Sequence, residues 1–201
     1  MSTQVSEFWD QRYQKESYVY GKTPNDFLVE QSALIKAKVL CLAEGEGRNA
    51  IYLAKQGCDV VAVDASSVGL DKAKALAKEN QVEISCVQAD LSDYDLGEDQ
   101  YDAIVSIWCH VAPDVRETLH QKVIKALKPG AYFLLEAYHP DQLQYKTGGP
   151  QNPQLMMTVE SLQRELQGLD FKICQRVIRD VHEGEGHFGK SVVVQCLAQN
   201  P

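Results

Sequence analysis

An α/β sandwich, with a seven-stranded, mostly parallel sheet between helical layers, is the fold this sequence predicts. Three observations carry the expectation. From residue 38 to residue 137, short apolar runs alternate with helical periods through brief connections, the pattern of a parallel sheet covered on both faces. The run Val39-Leu40-Cys41-Leu42 breaks into Ala43-Glu44-Gly45-Glu46-Gly47 and opens a helix, while the next apolar run ends in Asp64. Strand, Gly-x-Gly turn, helix, strand and acid form the nucleotide half-site of a Rossmann-like sheet. The chain then closes on two strand-like runs, Phe171–Arg179 and Ser191–Ala198, around a glycine-rich turn, so the last strand is antiparallel to its predecessor.

The elements follow in order. Residues 6 to 20 are dense in aromatics, with Phe8, Trp9 and Tyr13 on a helix that packs its rings on the domain, and Tyr18-Val19-Tyr20-Gly21 as a strap. Thr23-Pro24-Asn25-Asp26 reads as a helix start in which Thr23 caps, Pro24 takes the first helical position and Asp26 reaches back. The helix after the glycine turn runs from about Arg48 to Gln56 and stops at Gly57. Ser66 or Ser67 caps the next helix, which stops at Asn80. The third strand, Ile84–Val87, ends in Gln88-Ala89-Asp90-Leu91, and the fourth, Tyr101–Ile107, delivers Trp108, Cys109 and His110. Pro113 starts a periodic helix that Lys128-Pro129-Gly130 ends, and Tyr132–Ala137 is the fifth strand. Residues 138 to 157 form a long loop, and loops of that length inside a compact domain are usually functional. A short helix over Val159–Gln167 precedes the hairpin. One domain spans 1–201: a strap and lid over 1–37, a cofactor-binding core over 38–137, and a substrate-side loop, helix and hairpin over 138–201.

Composition narrows the function. An apolar fraction of 44% with 24% charged residues is that of a soluble globule. Twenty Lys and Arg against 28 Asp and Glu give a net charge of −8, which argues against a nucleic-acid partner. No apolar run approaches a membrane span, and Met-Ser-Thr-Gln-Val-Ser-Glu-Phe has no signal-peptide core. Cysteines at 41, 58, 86, 109, 174 and 196 show neither a C-x-x-C pair nor zinc spacing, and read as reduced, buried hydrophobes of a cytoplasmic protein.

The Glu44-Gly45-Glu46-Gly47-Arg48-Asn49 turn, Asp64, Ala89-Asp90-Leu91, Leu127-Lys128-Pro129-Gly130 and Val181-His182 together resemble a class I S-adenosylmethionine-dependent methyltransferase. Within that group the chain is most similar to the small bacterial enzymes related to tellurite-resistance and thiopurine methyltransferases. The sequence departs from the family at Cys41, where Asp is frequent, and at Ala43, where the first glycine usually stands. The resemblance implies S-adenosylmethionine as cofactor and a small-molecule acceptor, by analogy a thiol or chalcogen. It implies that Glu44, Gly45 and Gly47 frame the methionine part, that Asp64 accepts from the ribose hydroxyls, and that Asp90 and Leu91 meet the adenine; the Tyr18–Tyr20 strap, with Tyr20 toward the cofactor, and the 145–150 loop are the candidate lids.

The rival reading is an NAD(P)-dependent oxidoreductase or epimerase, because Gly45, Gly47 and Ala50 also fit the dinucleotide pattern. Glu44 favours a cationic ligand over a pyrophosphate. A non-catalytic cofactor-binding protein is the third reading, since no compelling acid–base pair stands out. Substrate-side candidates come from strand ends, which face the crevice of an open parallel sheet. His110 is a candidate base or polar substrate contact, with Trp108, His139, His182 and His187 as candidate substrate contacts. Glu183 and Glu185 share the last turn, and no metal site is assigned.

Overall fold

The computed structural model describes residues 3–201. Met1 and Ser2, part of the opening where no leader was read, lie outside the described residues. Seven strands form one sheet in the order β3-β2-β1-β4-β5-β7-β6. These are β1 (Lys38–Leu42), β2 (Asp59–Asp64), β3 (Ser85–Gln88), β4 (Tyr101–Ile107), β5 (Leu127–Tyr138), β6 (Asp170–Glu183) and β7 (His187–Gln199). The first five are mutually parallel, and β7 runs antiparallel between β5 and β6, so β6 is again parallel to the rest. Chain order reverses between β1 and β4, which opens the crevice at the carboxyl ends of those strands.

Among the described residues, six α-helices flank the sheet: α1 (Thr3–Tyr13), α2 (Asp26–Gln31), α3 (Arg48–Lys55), α4 (Ser67–Glu79), α5 (Pro113–Ala126) and α6 (Val159–Glu165). The sheet is the centre of two apolar clusters. One gathers Leu40, Ile104, Phe133 and Leu135 with Leu119 and Val123 of α5. The other gathers Val39, Cys41, Val105 and Leu134 with Phe27, Leu28 and Leu53. Successive side chains of a strand leave on opposite faces, so strands covered on both faces are apolar over most of their length.

Local chemistry sets the helix starts, with one correction. The cap of α2 is Asn25, not Thr23: its side chain accepts from Leu28 N, and Pro24 lies before the helix. Asn25 wins because its amide also donates to two carboxylates, Glu136 at 2.7 Å and Glu183 at 2.8 Å. Ser66 caps α4 by accepting from Gly69 N. Gly57, at φ 88°, takes the left-handed position that follows α3. Residues 138–157 are not an open loop. They contain 3-10 turns at Pro140–Gln144 and Pro153–Leu155, and Arg116 of α5 donates to Gln154 O and Met156 O. On α1, Phe8 is 58% exposed and does not pack on the domain, whereas Tyr13 is buried. All six cysteines are free thiols. Among the described residues, no helix is long and apolar enough to cross a membrane.

Candidate active site

The turn after β1 is built by its own carboxylates. Glu44 Oε1 accepts from Asn49 N and Ala50 N at 2.9 and 2.8 Å, satisfying two of the free N–H groups that begin α3. Asp64 receives Gly45 N on one oxygen and Ser66 N on the other, each at 2.8 Å. Gly45 and Gly47 have φ of 60° and 92°, which side chains rarely adopt. A Cβ at Gly45 would stand 2.5 Å from the Tyr13 hydroxyl, so α1 lies directly on the turn. Asp10 fastens it there by accepting from Ser66 Oγ and Val68 N.

Burial raises the Glu44 carboxyl to about 7, against the hydrogen bonds from Ala50 and Asn49 and the charge of Arg48. It raises Asp64 to about 6, with Asp10 adding to the rise. Negative charge is thus held under-compensated at the turn. That arrangement fits a cationic ligand, and the bare backbone of Gly45-Glu46-Gly47 permits close approach. Each Asp64 oxygen keeps a second lone pair, enough for two hydroxyls. Asp90 lies at the end of β3, where Oδ1 accepts from Ser92 N and Oγ in a local turn, and Leu91 is buried in the core beside it.

The strap spans from this turn to the hairpin. Lys72 of α4 pairs with Glu46 at 2.5 Å and donates to the carbonyls of Tyr13, Lys15 and Ser17. Val19 O accepts from Glu185 N and Gly186 N at the hairpin tip. Tyr20 then lies over His187, ring centres 4.7 Å apart, and under Arg12, whose guanidinium is 5.5 Å from its centre.

On the other side of the crevice a ring cluster forms. Trp108 stacks on Tyr138 at 4.5 Å and on His187 at 4.9 Å, and the Tyr138 hydroxyl meets His187 Nδ1 at 2.6 Å. Beneath the rings runs a polar network that the sequence reading did not assemble. Glu183 accepts from Trp108 Nε1 and pairs with Arg48 at 2.5 Å. Glu136 holds Arg179 through both oxygens, and also receives Gln195 and Asn25. Trp108 stands at φ 57°, a costly conformation for a bulky residue, fixed here by its indole bond to Glu183 and by its main-chain bond to Glu136 O. A polar residue inside an apolar run was the available signal: Glu136 in Phe133–Tyr138 and Gln195 in Val192–Cys196.

Of the predicted histidines, His139 and His182 stand away from the ring cluster, and His110 lies within it but is committed to the main chain. His110 is not placed to act as a base, because both ring nitrogens serve the main chain. Nε2 accepts from Tyr138 N at 3.0 Å, and Nδ1 meets Trp108 O at 2.9 Å. Burial also lowers His110 to about 4, leaving it neutral. His139 caps the 3-10 turn at 140–144, Nδ1 accepting from Asp141 N. His182 is exposed and sits edge-on against Phe188, because its neighbours in β6, Val181 and Glu183, are the residues that face inward. His187 and His110 both stack on Trp108 and Tyr138, His110 at 6.4 and 5.7 Å between ring centres, but among the predicted histidines it is His187 that also meets the Tyr138 hydroxyl. Glu185 is at the surface, where it pairs with Lys15. No cluster of three or more metal-ligating side chains occurs among the described residues.

Residues 39–130 match a family model described as a methyltransferase domain. An uncharacterized methyltransferase of Synechocystis sp. is 35% identical over 104 residues, 51% of this chain and 47% of the relative. The 2-heptyl-1-hydroxyquinolin-4(1H)-one methyltransferase of Mycobacteroides abscessus is 30% identical over 122 residues, 57% of this chain and 53% of the relative. The chain therefore spans about half the length of the curated relatives it matches. Among solved structures, TehB from Haemophilus influenzae superposes with a TM-score of 0.73 at 19% identity, covering 98% of this chain and 67% of that one. That likeness is one of fold.

Proposed function

Because the centre of this chain is a methyltransferase domain of the class I S-adenosylmethionine-dependent kind, we propose that it transfers the cofactor's methyl group to a small-molecule acceptor by in-line displacement. The observation that carries the reading is the pair Glu44 and Asp64, two buried carboxyls raised toward neutrality beside a glycine turn. A ligand bearing an ammonium and a sulfonium relieves that charge; a pyrophosphate adds to it, which disfavours the dinucleotide reading. When bound, S-adenosylmethionine supplies an activated methyl group, so the protein must chiefly align the acceptor and exclude water.

Gly45 and Gly47 would admit the methionine part, Asp64 would accept from the ribose hydroxyls, Asp90 and Leu91 would border the adenine, and Tyr20 would close the site. Trp108, Tyr138 and His187 would form the acceptor wall. The resemblance to tellurite-resistance and thiopurine enzymes favours a thiol or chalcogen oxyanion as acceptor. The match to a relative named for a hydroxyquinolinone supports a hydroxyl as the second reading. The acidic charge balance and the unpaired thiols support a cytoplasmic protein with no nucleic-acid partner.

Calorimetric titration with S-adenosylmethionine and its demethylated product tests the reading. Binding of both with comparable affinity is the expected result. No binding of either at millimolar concentration, or quenching of NAD(P)H fluorescence instead, would sink it. Methyl transfer to none of a panel of thiols, phenols, selenite and tellurite would leave a cofactor-binding protein in its place.

A further inference from the structure

We propose that the cavity between α1, the 146–151 loop and the hairpin tip receives a carboxylate carried by the methyl acceptor, a small organic acid, and that Arg12 and Lys146 select it. The inference rests on the methyltransferase reading and deepens it by naming the acceptor's class. The cavity measures about 390 Å³ and is lined by Arg12, Lys146, Gly148, Gly149, Glu185 and Gly186 among others. The one acid of these six is already matched, because Glu185 pairs with Lys15 at 3.3 Å. Neither Arg12 nor Lys146 has a carboxylate partner among the described residues. On a chain of net charge −8 this mouth is therefore locally positive, and a cleft of one sign concentrates ligands of the other.

Both cations are placed by neutral contacts. Arg12 stands over Tyr20 and Trp9, with its guanidinium 5.5 and 5.9 Å from the ring centres. Lys146 takes φ 56°, a left-handed conformation uncommon outside glycine. Its loop is fastened to β7: Thr147 O accepts from Phe188 N at 3.0 Å, and Thr147 Oγ1 donates to Lys190 O at 2.7 Å. Gln142 ties the loop from within, donating to Thr147 Oγ1 and accepting from Val192 N, both at 2.8 Å. The main-chain N–H groups of Gly148 and Gly149 have no acceptor among the described residues. A carboxylate in this cavity meets donors as well as charge.

The mouth adjoins the acceptor wall. Arg12 begins a stack in which Tyr20 lies 4.7 Å from His187, and His187 4.9 Å from Trp108. Elsewhere the boundary is bare backbone. A Cβ at Gly148 would stand 2.5 Å from the Tyr138 hydroxyl, and one at Gly186 2.4 Å from the Tyr20 ring. The strap reaches the same tip, where Val19 O accepts from Glu185 N at 3.0 Å. Carrying a carboxylate in among the rings would cost its hydration. Held at the mouth it keeps water on one side and two cations on the other, while the neutral body of the molecule faces the rings. The nucleophile is the thiol or hydroxyl at the far end of that body.

Benzoate and benzamide share a shape and differ in charge, which makes them the probes. Nitrogen-15 NMR of the full chain should show benzoate shifting the Gly148, Gly149 and Gly186 amides and Arg12 Nε, about 10-fold more tightly than benzamide. Raising salt from about 0.05 to about 0.5 M should erase that advantage. Lys146→Gln and Arg12→Gln should each weaken benzoate about fivefold and leave benzamide unchanged. Equal affinity for the two probes, or shifts at other residues, would overturn the proposal. Inorganic phosphate bound more tightly than benzoate would mark a site for a free anion and overturn it as well. Turnover ties the cavity to the acceptor: 4-mercaptobenzoate or 4-hydroxybenzoate should have a lower KM than its uncharged 4-methyl counterpart. Lys146→Gln should raise that KM about fivefold with kcat within about twofold; methylation without preference for the acids overturns the assignment. Calorimetry separates the two levels. A wild type that binds no S-adenosylmethionine sinks the parent reading, whereas one that binds it and treats benzoate and benzamide alike sinks this inference alone.

Discussion

The two halves of the crevice bury carboxylates to the same depth and treat them in opposite ways. Glu44 and Asp64 are 8% and 6% exposed, Glu136 and Glu183 0% and 4%. On the cofactor side the carboxylates lean on main-chain N–H groups, and burial raises both. On the acceptor side Arg48, Arg179, Asn25, Gln195 and Trp108 engage every carboxylate oxygen. The first arrangement stores negative charge for a ligand to neutralise. The second is complete without a ligand, and what it delivers is position: Trp108, Tyr138 and His187 held against one another. Buried charge alone therefore does not mark a binding site; the missing counter-charge does.

The largest expected effect is at the closed network. Glu183→Ala should leave Arg48 buried without its partner and free the Trp108 indole, costing about 3 to 5 kcal/mol in urea unfolding. A loss below about 1 kcal/mol would mean the network is no more than a surface-like pairing. Asp64→Asn should act on the other half and mostly on binding. Removing charge-assisted acceptance should weaken S-adenosylmethionine by about 10- to 100-fold in calorimetry, with folding stability lower by about 1 kcal/mol, because the new NH2 must face Gly45 N or Ser66 N.

Glu44→Gln sharpens the contrast through pH. The folded carboxyl titrates near 7 and the unfolded one at 4.5, so the folded state binds the proton more tightly. Its contribution is intact below the unfolded value and is lost as pH rises through about 7. A glutamine keeps the capping oxygen without the charge, so the variant should gain about 2 kcal/mol at pH 8 and nothing at pH 4 in parallel unfolding curves. Equal curves at both pH values would remove the claim of under-compensation. The same titration should make wild-type cofactor affinity improve from about pH 5.5 to about pH 8. Smallest is Gly45→Ala, where the left-handed backbone should cost about 1 kcal/mol. The new methyl group should push Tyr13 aside, and the Trp9 fluorescence should report it; an unchanged spectrum would argue that α1 does not rest on the turn as described.

Elements with a repeating pattern were legible in the sequence. The alternating runs, the glycine turn, Asp64 at the end of β2 and the antiparallel close all follow from periodicity and turn chemistry, which are local. The network was not, because Asn25 meets Glu136 and Glu183 across 111 and 158 positions of chain. Nothing near any of the three announces the others. The histidines show a subtler limit. His110, His139 and His187 all read as residues at strand ends, and only the hydrogen bonds distinguish His187, which meets the Tyr138 hydroxyl, from the two whose rings hold main chain in place. Asn25 misled the cap assignment for a related reason: a Thr-Pro-Asn-Asp string offers several caps, and a tertiary contact chose between them.

The hairpin between β6 and β7 sets Glu183 opposite His187 across the three residues Gly184, Glu185 and Gly186. Because a strand alternates its faces residue by residue, parity at this tip decides which side chain lies against Trp108 and Tyr138. His187 faces in and Phe188 is 64% exposed. Slipping β7 by one residue at the tip would exchange the two, setting a phenyl ring in place of the imidazole against Trp108 and Tyr138. Tip length is thus an evolutionary dial: an insertion or deletion there changes which ring lies against Trp108 and Tyr138 in a single step that preserves the fold.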